Sequence, residues 1–176
     1  GAAVAAAFEG MERAAAAVLF PNTGVSPRQR CQLTCWDAPI ESFAVDGPFD
    51  ACQAMVKAAF LDPALTGRLR LTSANSISVG RLLPQMSYYA ATSLKLFAQL
   101  GEKPGFIGPT GNLGNALACV WARRIGLPIG DIVLATNENQ TISRFLSTGE
   151  WAPQTTISTL ASAMDVGNPS NMERLR

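Results

Sequence analysis

No histidine occurs among the 176 residues. That excludes Ser-His-Asp and Cys-His catalysis within this segment, and histidine-ligated metals with them. Charge is also sparse. Only 15% of the residues are charged, and 14 basic against 13 acidic side chains leave a net charge of +1. The basic residues are scattered, which argues against a nucleic-acid surface and against a polybasic membrane patch. No apolar run approaches the roughly 20 residues that cross a bilayer. The opening residues 1–8 lack the positive n-region of a signal peptide, so a cytoplasmic location is expected. The four cysteines are Cys31, Cys35, Cys52 and Cys119. Cys31 and Cys35 stand one helical turn apart, but no second close pair completes a tetrahedral site, so no metal is expected and the thiols read as free. Lysine is scarce too: Lys57, Lys95 and Lys103 each sit in a helical pattern or a polar turn, where an amine is solvated rather than nucleophilic.

What the chain has is a large apolar share, 48%, enough for a well-buried core. Strand-like runs alternate with helical patterns. Residues 14–20 read as a buried strand, and Ser26-Pro27-Arg28-Gln29 as a helix start with Ser26 at the N-cap and Pro27 in the first position. Residues 40–45 alternate like a strand. Phe49, Cys52, Met55, Val56, Ala59 and Phe60 mark one helix face. A polar turn at 62–67 precedes an extended run at 69–76. A long helix over 79–100 follows, with Val79, Leu82, Leu83, Met86, Ala90, Leu94 and Phe97 as its apolar stripe and Pro84 in its second turn. A strand at 105–107, a helix over 116–126, a strand at 131–135 and a short helix at 141–147 complete the pattern. The β-α-β-α order predicts an α/β fold with mainly parallel open sheets flanked by helices. The polar turn sets the expected boundary between a smaller lobe, 1–66, and part of a larger one, 67–176. Both ends look cut from helices, so a segment of a longer chain is expected.

Open α/β sheets bind ligands at the carboxyl ends of their strands. Three stretches fall there. The first is Gly108-Pro109-Thr110-Gly111-Asn112-Leu113-Gly114-Asn115, a glycine-rich turn between a strand and a helix. Such a turn bares backbone N–H groups at a positive helix end, where they hold phosphate. It also serves in many proteins as a packing turn. The second combines Asn75 and Ser76 with Arg81. An amide, a hydroxyl and a guanidinium converging on one spot make an anion clamp; alternatively Asn75 or Ser76 caps the long helix and Arg81 is solvated. The third is Asn137-Glu138-Asn139, which faces a cofactor ring or, on the plainer reading, supplies Asn139 as a helix N-cap. Asp165 is either a general base or a turn former.

Taken together, these motifs resemble the threonine synthase family. The resemblance is carried by Leu71-Thr72-Ser73-Ala74-Asn75-Ser76-Ile77 with Arg81-Leu82-Leu83-Pro84-Gln85. It continues in Pro109-Thr110-Gly111-Asn112-Leu113-Gly114-Asn115, Ala135-Thr136-Asn137-Glu138-Asn139 and Ala163-Met164-Asp165-Val166. It implies a two-lobed fold-type II pyridoxal-phosphate lyase that converts O-phospho-L-homoserine and water to L-threonine and phosphate. It further implies that Gly111, Asn112, Leu113, Gly114 and Asn115 cradle the cofactor phosphate, and that Asn75, Ser76 and Arg81 hold the substrate phosphate with help from Asn115. The family's Schiff-base lysine belongs to an upstream motif, so no residue here is assigned as catalytic and the segment alone is expected to be inactive. Leu113 stands where the family commonly has an aromatic. A serine or threonine dehydratase of the same fold type is the nearest alternative, but it needs no second phosphate clamp. A non-catalytic phosphate-binding relic is the other alternative. Oligomeric state does not follow from the sequence.

Overall fold

A computed structural model describes residues 1–175. The chain divides into two compact units, Gly1–Leu71 and from Thr72 onward. The first unit comprises α1 (Ala2–Phe8), β1 (Ala16–Pro21), α2 (Pro27–Thr34), β2 (Ile40–Val45), α3 (Phe49–Leu61) and α4 (Pro63–Thr66). β1 and β2 pair in parallel, from Ala16 opposite Ile40 to Pro21 opposite Val45, with α2 as the crossover. The expected cap forms: Ser26 Oγ accepts the Gln29 N–H at 3.2 Å, and Pro27 opens the helix where a missing N–H costs nothing. Ala5, Val18, Phe20, Leu33 and Ile40 make the core. On α3 only Cys52 of the expected face is buried, and burial pushes its thiol pKa up. The polar turn at 62–67 holds a short helix that its composition hid. Asp62 accepts the Ala64 N–H at 2.8 Å and Pro63 takes the first position.

The second unit comprises α5 (Val79–Leu100), β3 (Phe106–Pro109), α6 (Gly114–Arg124), β4 (Ile132–Ala135), α7 (Thr141–Thr148), a 3₁₀ turn (Ser162–Met164) and α8 (Met172–Leu175). β3 and β4 are parallel, from Phe106 opposite Ile132 to Pro109 opposite Ala135, and α6 connects them. The fold is therefore α/β with parallel strands, as expected. Tyr89, Ala118, Cys119, Ala122 and Ile129 form one core cluster between α5 and α6, with Tyr89 edge-on to Phe106 at 5.0 Å. α5 keeps its predicted bounds and runs through Pro84, but its buried line is rotated. Leu82, Tyr89 and Ser93 are buried, while Val79, Leu83, Leu94 and Phe97 remain substantially exposed.

The run 69–76 forms no strand. Among the described residues no neighbouring strand pairs with it, and an extended run without a ladder partner is not a strand. No helix among the described residues is long and apolar enough to cross a membrane, and no group of three metal-ligating side chains gathers there.

Candidate functional site

The βαβ unit of β3, α6 and β4 brings the glycine loop to the carboxyl end of the strand pair. Thr110 N–H donates to the Ala135 carbonyl at 2.9 Å, one residue beyond the last ladder pair. The chain then turns and enters α6 at Gly114. The turn is made at Leu113, which has φ +61°. A left-handed non-glycine residue costs about 1–2 kcal/mol. Here the side chain offsets it, because Leu113 is 2% exposed and packs with Ala116, Ile142 and Met172. Burying a leucine is worth about 1.5–3 kcal/mol. Leu113 is thus a core anchor as well as a loop residue.

The glycines serve close approach rather than positive φ. A Cβ on Gly111 would lie 2.8 Å from the Met164 carbonyl oxygen, and one on Gly114 would lie 2.7 Å from Ser76 Cβ. Both are closer than real Cβ atoms come. The 163–165 turn and the 75–77 turn therefore press on the loop from two sides.

Across residues 111–116, no backbone N–H finds an acceptor among the described residues. Gly111, Leu113 and Gly114 are buried. Orphaned buried N–H groups are rare and costly. At the first turn of an 11-residue helix they also lie in the positive end of its dipole. A bound dianion would satisfy them, so this loop fits the phosphate of a cofactor.

Asn112 ties this loop to the second predicted group. Its Nδ2 donates to Ser76 Oγ at 2.7 Å, and its Oδ1 accepts from Ser170 N–H at 2.6 Å and from Ser170 Oγ at 3.0 Å. Asn171, fully buried, donates Nδ2 to the Asn112 carbonyl at 2.9 Å. Arg174 completes the frame by donating to the carbonyls of Ser76 and Ile77. Sequence reasoning missed Arg174: an arginine in a polar tail carries no local signal that it reaches back 97 positions. Its target, a turn with unpaired carbonyls, appears only once folded.

Asn75, Ser76 and Arg81 lie in neighbouring turns, with unequal freedom. Ser76 Oγ is held by Asn112 and donates to Asn75 Oδ1 at 3.3 Å. Asn75 Oδ1 also accepts the Ile77 N–H, which leaves its Nδ2 undonated. Neither residue caps α5, whose N-cap is Ser78 and has no side-chain cap hydrogen bond. Arg81 donates one N–H to the Ala74 carbonyl at 2.6 Å and joins no ion pair among the described residues. It borders a cleft of about 430 Å³ lined by Thr72, Ser73, Gln85 and Tyr88 among others. Asn115 holds its side chain between two phenols: Tyr89 donates to its Oδ1, and its Nδ2 donates to Tyr88. Burial raises the Tyr88 pKa, against the opposing effects of Asn115, Arg81 and Tyr89. Tyr89 is pushed up to about 12, chiefly by burial. Both are neutral phenols near pH 7.

The third predicted group is a clip. Asn139 is not the N-cap of α7; that place falls to Gln140. Asn139 instead exchanges hydrogen bonds with both backbone groups of Ile157, at 2.9 and 2.8 Å. Asp165 accepts from Asn137 Nδ2 at 2.7 Å and from Thr159 Oγ1 and N–H at 2.7 and 2.9 Å. Its carboxylate is committed to holding the 157–165 segment, whose Met164 backbone roofs Gly111.

The fold and the loop thus define an α/β protein with a glycine loop of undonated N–H groups at its strand ends and a cleft bordered by Arg81. Comparison with known proteins makes the description particular. The chain is 42% identical over 175 residues, 99% of its length, to a threonine synthase of Serratia marcescens. It superposes on the crystal structure of threonine synthase from Escherichia coli with a TM-score of 0.86 at 41% identity, covering 99% of this chain and 41% of that one. It also superposes on a pyridoxal-phosphate-bound threonine synthase from Brucella melitensis, with a TM-score of 0.79 at 35% identity, covering 99% of this chain and 38% of that one. In sequence and in fold the chain is similar to threonine synthases over nearly its whole length. It spans about 41% of the length of the curated relatives it matches. No family model matches it.

Proposed function

We propose that this chain is the part of a threonine synthase that holds two phosphates: that of pyridoxal phosphate and that of O-phospho-L-homoserine. The reaction is conversion of that substrate and water to L-threonine and phosphate. The observation that carries the proposal is the row of undonated N–H groups at 111–116, joined through Asn112 to the Ser76 turn. The backbone of Gly111, Asn112, Leu113, Gly114 and Asn115 would receive the cofactor phosphate. When bound, the cofactor supplies an electron sink for carbanion-forming steps. Asn75 Nδ2 and the remaining N–H groups of Arg81 would grip the substrate phosphate, with Ser76 holding the two sites in register. The first unit would belong to a smaller lobe and the second to the larger, cofactor-binding lobe. Free thiols at all four cysteines agree with a reducing compartment such as the cytoplasm.

In full-length threonine synthase bearing this segment, Arg81→Ala is expected to weaken phosphohomoserine binding roughly tenfold to hundredfold, the worth of a charge-assisted phosphate contact. Pyridoxal phosphate affinity should stay within twofold. Arg81→Lys should recover only part of the loss, because a point charge does not reproduce a fork. Titration calorimetry with both ligands checks this, and unchanged substrate affinity in Arg81→Ala returns Arg81 to a solvated surface role.

The cofactor-bearing lysine is proposed to lie outside this segment. Lys57, Lys95 and Lys103 are all exposed, and none joins the hydrogen bonds around the loop. Borohydride reduction of the chain with pyridoxal phosphate, followed by peptide mapping, should give no stoichiometric adduct at a single lysine and no turnover. One such adduct accompanied by turnover would refute the assignment.

A further inference from the structure

We infer that the Tyr88 phenol is a further donor to the phosphate gripped by Arg81, set in place by a hydrogen-bond relay that runs from Tyr89 through Asn115. The inference rests on the reading of the Arg81 cleft as the substrate-phosphate site and adds a residue to it.

Arg81, Gln85 and Tyr88 are spaced four and three apart along α5, so they share one face, and all three line the same cleft. The relay has a direction. Tyr89 donates its hydroxyl hydrogen to Asn115 Oδ1, and Asn115 Nδ2 donates to the Tyr88 oxygen. An amide donor meeting the Tyr88 oxygen occupies a lone pair and leaves the phenolic hydrogen to point elsewhere. Besides Asn115, the Tyr88 hydroxyl meets the Tyr89 hydroxyl, whose own hydrogen is committed to Asn115. Gln85 Oε1, a buried acceptor, receives no hydrogen bond. The cleft is lined by no carboxylate. Tyr88 thus lines a space that Arg81, Thr72 and Ser73 also line. That donor set matches a phosphate monoester, whose oxygens only accept. Burial keeps the proton on Tyr88, so the phenol is a donor near neutral pH. Packing holds the ring in place: the Tyr88 and Tyr89 rings lie 4.7 Å apart, and Tyr89 is buried against Phe106.

Tyr88→Phe removes only the hydroxyl from a half-exposed ring, so the fold should be kept. In the full-length holoenzyme it should weaken phosphohomoserine and inorganic phosphate alike by roughly tenfold. Homoserine, which has no phosphate, should bind as before, and pyridoxal phosphate affinity should stay within twofold. Tyr89→Phe should show the same pattern at smaller size, because the relay then loses its first donor but Tyr88 remains. A folded Tyr88→Phe variant that binds both phosphates normally, while Arg81→Ala loses them, overturns the inference and leaves the clamp standing. Loss of pyridoxal phosphate affinity in step with substrate affinity also overturns it, since Tyr88 would then act only by holding Asn115. If Arg81→Ala and Tyr88→Phe both bind normally, the clamp itself falls and this inference with it.

Discussion

Gly114→Val in full-length threonine synthase bearing this segment is expected to lose pyridoxal phosphate by at least about a hundredfold in affinity and to weaken phosphohomoserine as well. The cause is crowding from below the loop. A Cβ at Gly114 meets Ser76 Cβ at 2.7 Å and Leu82 Cδ2 at 3.2 Å. Leu82 is fully buried on α5 and has nowhere to go, so the Ser76 turn or the loop must shift. Such overpacking costs about 1–3 kcal/mol in stability, and any shift separates Ser76 Oγ from Asn112. Gly114→Ala should err in the same direction by less. Pyridoxal without its phosphate should bind the wild type poorly and the variant no worse, because both changes remove the same contact and so do not add. Affinities of both ligands for both proteins, with circular dichroism to follow the fold, provide the check. A folded Gly114→Val protein with full pyridoxal phosphate affinity would make the loop a packing turn.

This prediction draws on geometry that the sequence did not disclose. The glycine loop was legible as a strand-to-helix turn with bared N–H groups, because glycine spacing after an apolar run is a local signal. Which residue takes positive φ was not. It is Leu113, and it can afford the strain only because Ile142 and Met172, from distant elements, bury its side chain. Elements whose signal is local were read well. β2 and α5 have the predicted bounds, and Ser26 caps α2. Elements that depend on partners were not. The run 69–76 has strand composition but no strand beside it, and the stripe on α5 is apolar over a wider arc than α6 covers, so its buried line could not be placed. Asn139 was expected as a cap because asparagine before a helix usually is one; its distant partner, Ile157, requires a loop to fold back. The same reasoning explains Arg174 and Ser170. Each closes the site across more than fifty residues of chain, a distance over which composition says nothing.

Asn112→Asp should separate the anion-binding role of the loop from its structural role. The carboxylate keeps an acceptor for the Ser170 N–H and hydroxyl, now at 2.6 and 3.0 Å, and Ser76 Oγ can turn from acceptor to donor toward it. The frame therefore survives with one reversal and the loss of the long 3.3 Å bond from Ser76 Oγ to Asn75 Oδ1, and thermal stability should change little. What changes is charge. A full negative charge about 6 Å from another costs roughly 3 kcal/mol at an effective dielectric constant near 20, and a phosphate in the cradle carries more than one. Pyridoxal phosphate affinity should therefore fall about a hundredfold or more, and the loss should shrink as salt is raised, since exposed parts of the loop are screened. Pyridoxal, uncharged at that end, should bind the variant as it binds the wild type. Asn112→Ala should behave oppositely. It leaves the Ser170 N–H without its acceptor and frees Ser76, so melting temperature should drop while the electrostatic penalty is absent. If Asn112→Asp keeps its melting temperature and binds pyridoxal phosphate as tightly as the wild type, no dianion sits against this loop. The undonated N–H groups at 111–116 would then need another explanation.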